Sequence, residues 1–341
     1  MKKEEQEALK EVGLQESETS ITVNSSQTQL PAYPHNRYIA AATSENTRKT
    51  YQSSIRQVNK WGVKLPCTDD TIIRYITDRA QSVNPRTLSL HLSVLRQWHI
   101  AQGFNDPTSS SVIQKTMEGI RRVHAKPKKK AKALRLEHIA TLLRILHAKP
   151  ESKKKRRDTA LLLIAFFGAF RRSELVGIMY SDIAWQPEGV TITLLQSKTD
   201  QEGRGVQRSI PYGKESSCPV RALKHWLDCS NTVSGPIFRS INRWDQVSDK
   251  PLNPSSVNDI LKSLARECGF DFIAELSSHS FRRGLSTSAA REKVSFELIK
   301  KQGGWKSDAT VWEYIEEGQQ FTDNAALTLM EKMDKLISLD T

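Results

Sequence analysis

Gly168-Ala-Phe-Arg171-Arg-Ser-Glu174-Leu175 closes the longest apolar stretch of the chain, Ala160 to Phe170, and sets a guanidinium just beyond an apolar wall with a carboxylate three residues on. A planar guanidinium held in that way suits bidentate contact with a phosphate, and Glu174 can orient it; a plain i, i+3 surface pair is the alternative. His279-Ser-Phe-Arg282 is a second cluster, an HxxR whose side chains project from one face if the segment is helical. Alone it fits a structural histidine better. The third cluster is Gly303-Gly304-Trp305 followed by Tyr314 nine residues after the Trp, for which two ordinary buried aromatics are the competing reading. Arg172 and Arg283 flank the two chosen arginines, but Arg-x-Ser-Glu and His-x-x-Arg fix the register on Arg171 and Arg282.

These groups need elements to hold them. The chain has 341 residues, enough for about two domains with a sizeable core. Residues 1–40 are rich in Ser, Thr, Gln and acidic groups and poor in large apolar ones, and they read as a flexible tail. From Ser44, Tyr51, Ile55 and Val58 recur at helical spacing up to Trp61. A second helix is expected from about Arg86 to Gly103 with Leu88, Leu92 and Leu95 on its apolar stripe, and a third from roughly Ser110 to Arg122. No strand-like alternation precedes residue 125, so residues 41–124 form an all-helical domain. In the second domain, residues 135–341, Val190 to Leu195 and Val206 to Tyr212 are strand-like runs around a polar, Gly-containing loop, which predicts a β-hairpin. Helices return from Pro219 and Pro254, and residues 324–339 make a C-terminal amphipathic helix with Leu329, Met333 and Leu336 at helical spacing. It docks on its own chain or on a neighbour. The fold class is mainly α with a small β-hairpin, in two domains.

Composition narrows the partner. With 51 Lys+Arg against 38 Asp+Glu the net charge is +13, which favours a polyanion, nucleic acid first. Between Arg121 and Arg157 there are 15 basic residues and only Glu137 and Glu151, so that segment alone accounts for the whole excess. Residues 125–134 read as a linker whose Lys126, Lys128, Lys129, Lys130 and Lys132 contact phosphate; a solvated charge run or a nuclear address is the alternative. The 11 apolar residues from Ala160 to Phe170 are too few to span a membrane, and the charged N-terminus lacks a secretion signal, so an intracellular protein is expected. Cys67, Cys218, Cys229 and Cys268 have no metal-ligand or disulfide spacing and read as buried reduced thiols. No metal ligand set or cofactor motif is visible.

The order Arg171, Glu174, Lys198, His279-x-x-Arg282, Trp305, Tyr314 resembles the tyrosine recombinase (phage integrase) family, over about residues 41–341. In the first domain Asn84-Pro-Arg-Thr-Leu-Ser-Leu-His and Gly119-Ile-Arg-Arg are similar to the helical core-binding module of these enzymes. The resemblance implies a site-specific DNA recombinase or integrase that cuts and rejoins DNA through a covalent 3′-phosphotyrosine, with neither metal nor ATP. Arg171, Arg282, His279 and the Trp305 indole N–H would face the negative charge that builds on the nonbridging oxygens. Tyr314 would be the nucleophile, Lys198 would protonate the leaving 5′-oxygen, and His279 is a candidate for taking the phenol proton.

The resemblance further implies a clamp of two domains around double-stranded DNA at a specific site. Four protomers would assemble on two sites and exchange their C-terminal segments, and an accessory DNA-bending factor would be a possible partner. Arg86, His91 and Arg96 are the candidates for base readout in the major groove. A bacterial protein of this kind would be cytoplasmic and nucleoid-associated, a eukaryotic one nuclear. Two alternatives stay open: a type IB topoisomerase that relaxes supercoils without a partner site, and a DNA-binding regulator with the same fold and no reaction.

Overall fold

The computed structural model describes residues 43–127, 129–194, 205–322 and 324–339. The expected tail over residues 1–40, Lys128 and Lys198 lie outside the described residues. The chain divides into two compact units between residues 128 and 129.

The first unit is helical throughout its described residues: α1 (Glu45–Trp61), α2 (Asp69–Arg79), α3 (Pro85–Ala101) and α4 (Ser111–His124). Side-chain caps start three of them. Ser44 accepts from Thr47 N, Thr68 from Thr71 N, and Asn84 from Arg86 N with Pro85 at the first helical position. One stripe of each helix meets in a common core of Val58, Ile72, Ile76, Leu88, Leu95, Ile113 and Met117.

His91 faces that core. It is 1% exposed, and its Nδ1 is hydrogen-bonded with the Tyr75 hydroxyl at 2.6 Å, so the expectation that it reads bases is corrected. The apolar stripe of α3 is wider than its leucines suggest, because the helix packs on both α1 and α4.

The second unit begins with α5 (Leu136–Ala148) and α6 (Lys153–Phe167). Every residue of α6 from Ala160 to Phe166 is buried, which explains why that stretch is apolar all round. It packs most extensively on α8 (Pro219–Cys229), after the short α7 (Arg172–Gly177) and an antiparallel sheet of β1 (Ile183–Gln186), β2 (Gly189–Leu194) and β3 (Val206–Pro211) in sequential order. The register sets Val190 against Ile210 and Ile192 against Arg208.

A separate hairpin of β4 (Arg239–Ile241) and β5 (Val247–Pro251) precedes α9 (Pro254–Glu267). The β1 strand and this hairpin are additions to the single hairpin expected. They are short and largely solvent-facing, so they carry no run of β-branched residues.

α10 (His279–Arg291), α11 (Phe296–Gly303) and α12 (Asp308–Gln319) then close around a small cluster of Ala290, Ile299, Trp305, Val311 and Ile315. α13 (Ala325–Leu339) follows, with Leu329, Met330, Met333 and Leu336 exposed. Of the four cysteines only Cys218 is buried; the other three are half-buried, a correction to the expectation for all four. No helix among the described residues is long and apolar enough to cross a membrane.

Candidate active site

Four segments of the second unit converge at the C-terminal end of α6. There the chain leaves the helix through Gly168 and Ala169, the latter fully buried at a φ of +48°, and Phe170 anchors the turn in the core. Arg171 comes next, at the N-cap of α7. Glu174 receives the Arg171 backbone N–H at 2.8 Å and its Nη1 at 2.5 Å, so one buried carboxylate fixes both the backbone and the guanidinium.

Arg282 lies in the first turn of α10 and is 3% exposed. Its fork donates from Nη1 to the Ala169 carbonyl and from Nη2 to the Gly303 carbonyl at 3.0 Å. Burial, with the nearby Arg171 charge, lowers its pKa to about 10, still well above neutrality, so the group is cationic at pH 7. The guanidinium carbon stands 4.8 Å from the centre of the Trp305 ring. Trp305 meets Tyr314 edge to face, with ring centres 5.5 Å apart at 60°.

His279 is the first residue of α10, one turn before Arg282, and is exposed. Arg172 is exposed as well, whereas Arg283 turns toward α12, where it pairs with Glu317 and with Glu313 at 3.8 Å and lies over the Tyr314 ring at 5.5 Å. Arg171 and Arg282, rather than their neighbours Arg172 and Arg283, lie at the α6 end. Tyr314 sits in the middle of α12. Burial pushes its phenol pKa above the usual tyrosine value, opposed by the charges of Arg282 and Arg283.

One residue of this cluster belongs to none of the sequence motifs. Arg208 on β3 is 4% exposed and donates through Nη2 to the Gly303 carbonyl at 3.1 Å, the same oxygen that Arg282 uses. Its signal was available: Arg208 alternates with Ile210 on the buried face of a six-residue strand, an unusual place for a charge. Gln302 adds a third tie, its Nε2 donating to the Phe167 carbonyl at 2.6 Å.

The expected DNA contacts fall in both units, with Arg86, Arg96 and Lys126 in the first and Lys129, Lys130 and Lys132 in the second. Arg86 is exposed, and Arg96 is exposed but paired with Asp106 at 3.3 Å. Lys126, Lys129, Lys130 and Lys132 are all exposed; Lys130 pairs with Glu313 at 2.5 Å, and the Lys132 backbone N–H donates to Glu275. Among the described residues no group of three His, Cys, Asp or Glu side chains is placed to hold a metal ion.

A mainly helical unit gathers arginines, a tryptophan and a tyrosine around one turn, and comparison with known proteins shows which family the chain belongs to. Residues 132–320 match the model of the phage integrase family. The chain is 35% identical over 305 residues to an integrase/recombinase xerD homolog of Selenomonas ruminantium, covering 87% of this chain and 89% of that one. It is 25% identical over 297 residues to the recombinase cre of Escherichia phage P1, covering 80% and 84%. The crystal structure of the XerH site-specific recombinase bound to palindromic difH substrate, in a post-cleavage complex, shares the fold at a TM-score of 0.59 and 15% identity, covering 85% of this chain and 82% of that one. The chain belongs to the phage integrase family and is a tyrosine-type site-specific DNA recombinase.

Proposed function

We propose that the second unit breaks and rejoins DNA strands at the cluster around Arg171, Arg282, Trp305 and Tyr314. The Tyr314 oxygen attacks the scissile phosphorus, the bond from phosphorus to the 5′-oxygen breaks, and a 3′-phosphotyrosine and a free 5′-hydroxyl result. Attack by a 5′-hydroxyl from another strand reverses the step with no net change in bond energy, so no nucleotide hydrolysis is required. Arg171, Arg282 and the Trp305 indole stabilise the charge on the nonbridging oxygens. The phenol, whose ordinary pKa is about 10, gives up its proton to His279 in this reading. Lys198 protonates the leaving oxygen; its role rests on the family resemblance alone.

The observation that carries the proposal is the seat of Arg282. A guanidinium held by two carbonyls, stacked on the indole that touches Tyr314, is fixed before any substrate arrives. In the same reading the first unit binds duplex DNA, with Arg86 and Arg96 toward the bases, while Lys126, Lys128, Lys129, Lys130 and Lys132 meet phosphate. Four protomers bring two such sites together, and the exposed apolar residues of α13 support exchange of that helix between neighbours.

The test is to express the protein in cells, denature the lysate, capture protein carrying covalent DNA and sequence what is attached. The wild type yields one recurring sequence and Tyr314→Phe yields none. Equal recovery from both proteins would remove Tyr314 from its role.

A further inference from the structure

Arg208 is an expensive residue to place where it is. A guanidinium that is 4% exposed, with no carboxylate in direct contact among the described residues, loses most of its hydration. Its donors go to main-chain carbonyls: Nη1 to Gln207 at 3.2 Å and Nη2 to Gly303 at 3.1 Å. Its Nε has no partner among the described residues. Burial pushes its pKa down, and the nearby charge of Glu174 opposes that shift while Arg171 adds to it. A methionine of similar length would fill the volume without this cost, so the fork itself has a use.

The use is visible in what the fork touches. α11 ends at Gly303, and its last carbonyl receives one N–H from Arg282 and one from Arg208, two cations where the helix dipole favours them. Gly304 then takes the left-handed conformation, with φ +59°. A Cβ on Gly304 would lie 1.8 Å from Arg208 Nη2, so the guanidinium occupies the place of the missing side chain. Trp305 is the next residue. Its ring stacks under Arg282 and meets Tyr314. From β3 the mechanical line runs through Arg208 to the Gly303-Gly304 turn and on to the aromatic pair.

We infer that Arg208 is a positioning residue for strand cleavage: by clamping the Gly303-Gly304 turn from the sheet side, it sets the aim of Trp305 and Arg282 at the nonbridging oxygens. The inference rests on the reaction proposed above. Because Arg208 is buried and both its Nη donors go to main-chain carbonyls, it shapes the rate of cleavage and leaves DNA affinity nearly unchanged.

The experiment uses a suicide duplex of the sequence recovered from cells, nicked so that the short 5′-hydroxyl fragment freed by cleavage diffuses away, and follows the covalent adduct in a single turnover. A second duplex carries a methylphosphonate at the scissile position, which is uncharged and asks less of the anion-stabilising groups. Arg208→Met and Arg208→Lys are compared with the wild type; the Lys variant keeps the charge without the planar fork, and it decides the matter should the Met variant not fold. Both variants are expected to form adduct at least about tenfold more slowly on the phosphodiester, with DNA Kd within about threefold of wild type and a clearly smaller deficit on the methylphosphonate.

Wild-type rates in the variants overturn the inference while leaving the reaction standing. The same deficit on both duplexes overturns it too, since that is what a general loss of structure produces. So does a large rise in Kd with the rate unchanged, which would make Arg208 a DNA ligand. A wild-type protein that forms no adduct overturns the reaction and the inference with it.

Discussion

The guanidinium of Arg282 donates to the carbonyl of Ala169, two residues before Arg171. Two arginines that are 111 positions apart in the chain are thereby tied through the short backbone segment from Ala169 to Arg171. Ala169 reaches this position in the left-handed region that residues with a side chain seldom adopt, and its burial among core residues holds it there. The turn leaving α6 thus presents Ala169 to one arginine and carries the other.

Glu174 is the second anchor of that turn, because it accepts from both the backbone and the side chain of Arg171. Glu174→Gln keeps the shape and removes the charge. Single-turnover adduct formation is expected to fall about tenfold or more, with DNA affinity within about threefold, since a hydrogen bond to a charged group is worth roughly 1.5–3 kcal/mol. An unchanged rate would show that Arg171 holds its aim without the carboxylate.

The segment entering the second unit crosses α10 at a glycine. Leu134 N donates to the Ser280 carbonyl at 3.0 Å, and a Cβ on Gly284 would lie 1.8 Å from the Leu134 oxygen. Gly284→Ala therefore forces backbone apart from backbone. Overpacking of this kind costs about 1–3 kcal/mol, and the melting temperature is expected to drop by roughly 3–10 °C. A melting curve that superimposes on the wild type would mean the crossing yields without cost.

The helical unit should be sensitive to acid through His91. Burial, helped by the Arg79 charge, holds the His91 pKa below its ordinary 6.5, and Nε2 has no partner among the described residues to receive a charge. The unfolded chain therefore binds this proton more readily than the fold does. Stability is full above about pH 6.5 and is lost as the pH falls toward the lowered folded value. Circular-dichroism melts should show the wild type losing more melting temperature than His91→Gln between about pH 7.5 and 5.5. Parallel losses would assign the acid sensitivity to other groups.

Much of this could be read from the sequence because its signals are local. Helices α1, α3 and α4 announce themselves by caps and apolar spacing, and β2 and β3 by β-branched runs. The cluster of Arg171, Glu174, Arg282, Trp305 and Tyr314 came from motif order. What escaped depends on tertiary packing. His91 looks like any polar residue on a helix until the Tyr75 hydroxyl is seen beside it. Arg208 reads as a hairpin cation until the Gly303-Gly304 turn is folded onto it, although its alternation with Ile210 hinted at the buried face. α2 and the β4–β5 hairpin were not assigned, the first because its short acidic start obscures a three-residue apolar stripe of Ile72, Tyr75 and Ile76.

The central claim is that the Tyr314 phenol becomes bonded to phosphorus. Its most direct test is to capture the adduct on the suicide duplex, digest protein and DNA, and sequence the nucleotide-bearing peptide by mass spectrometry. The account predicts a single modified residue, Tyr314, joined to the 3′-phosphate of the cleaved strand. Attachment at any other residue, or through a 5′-phosphate, would contradict it.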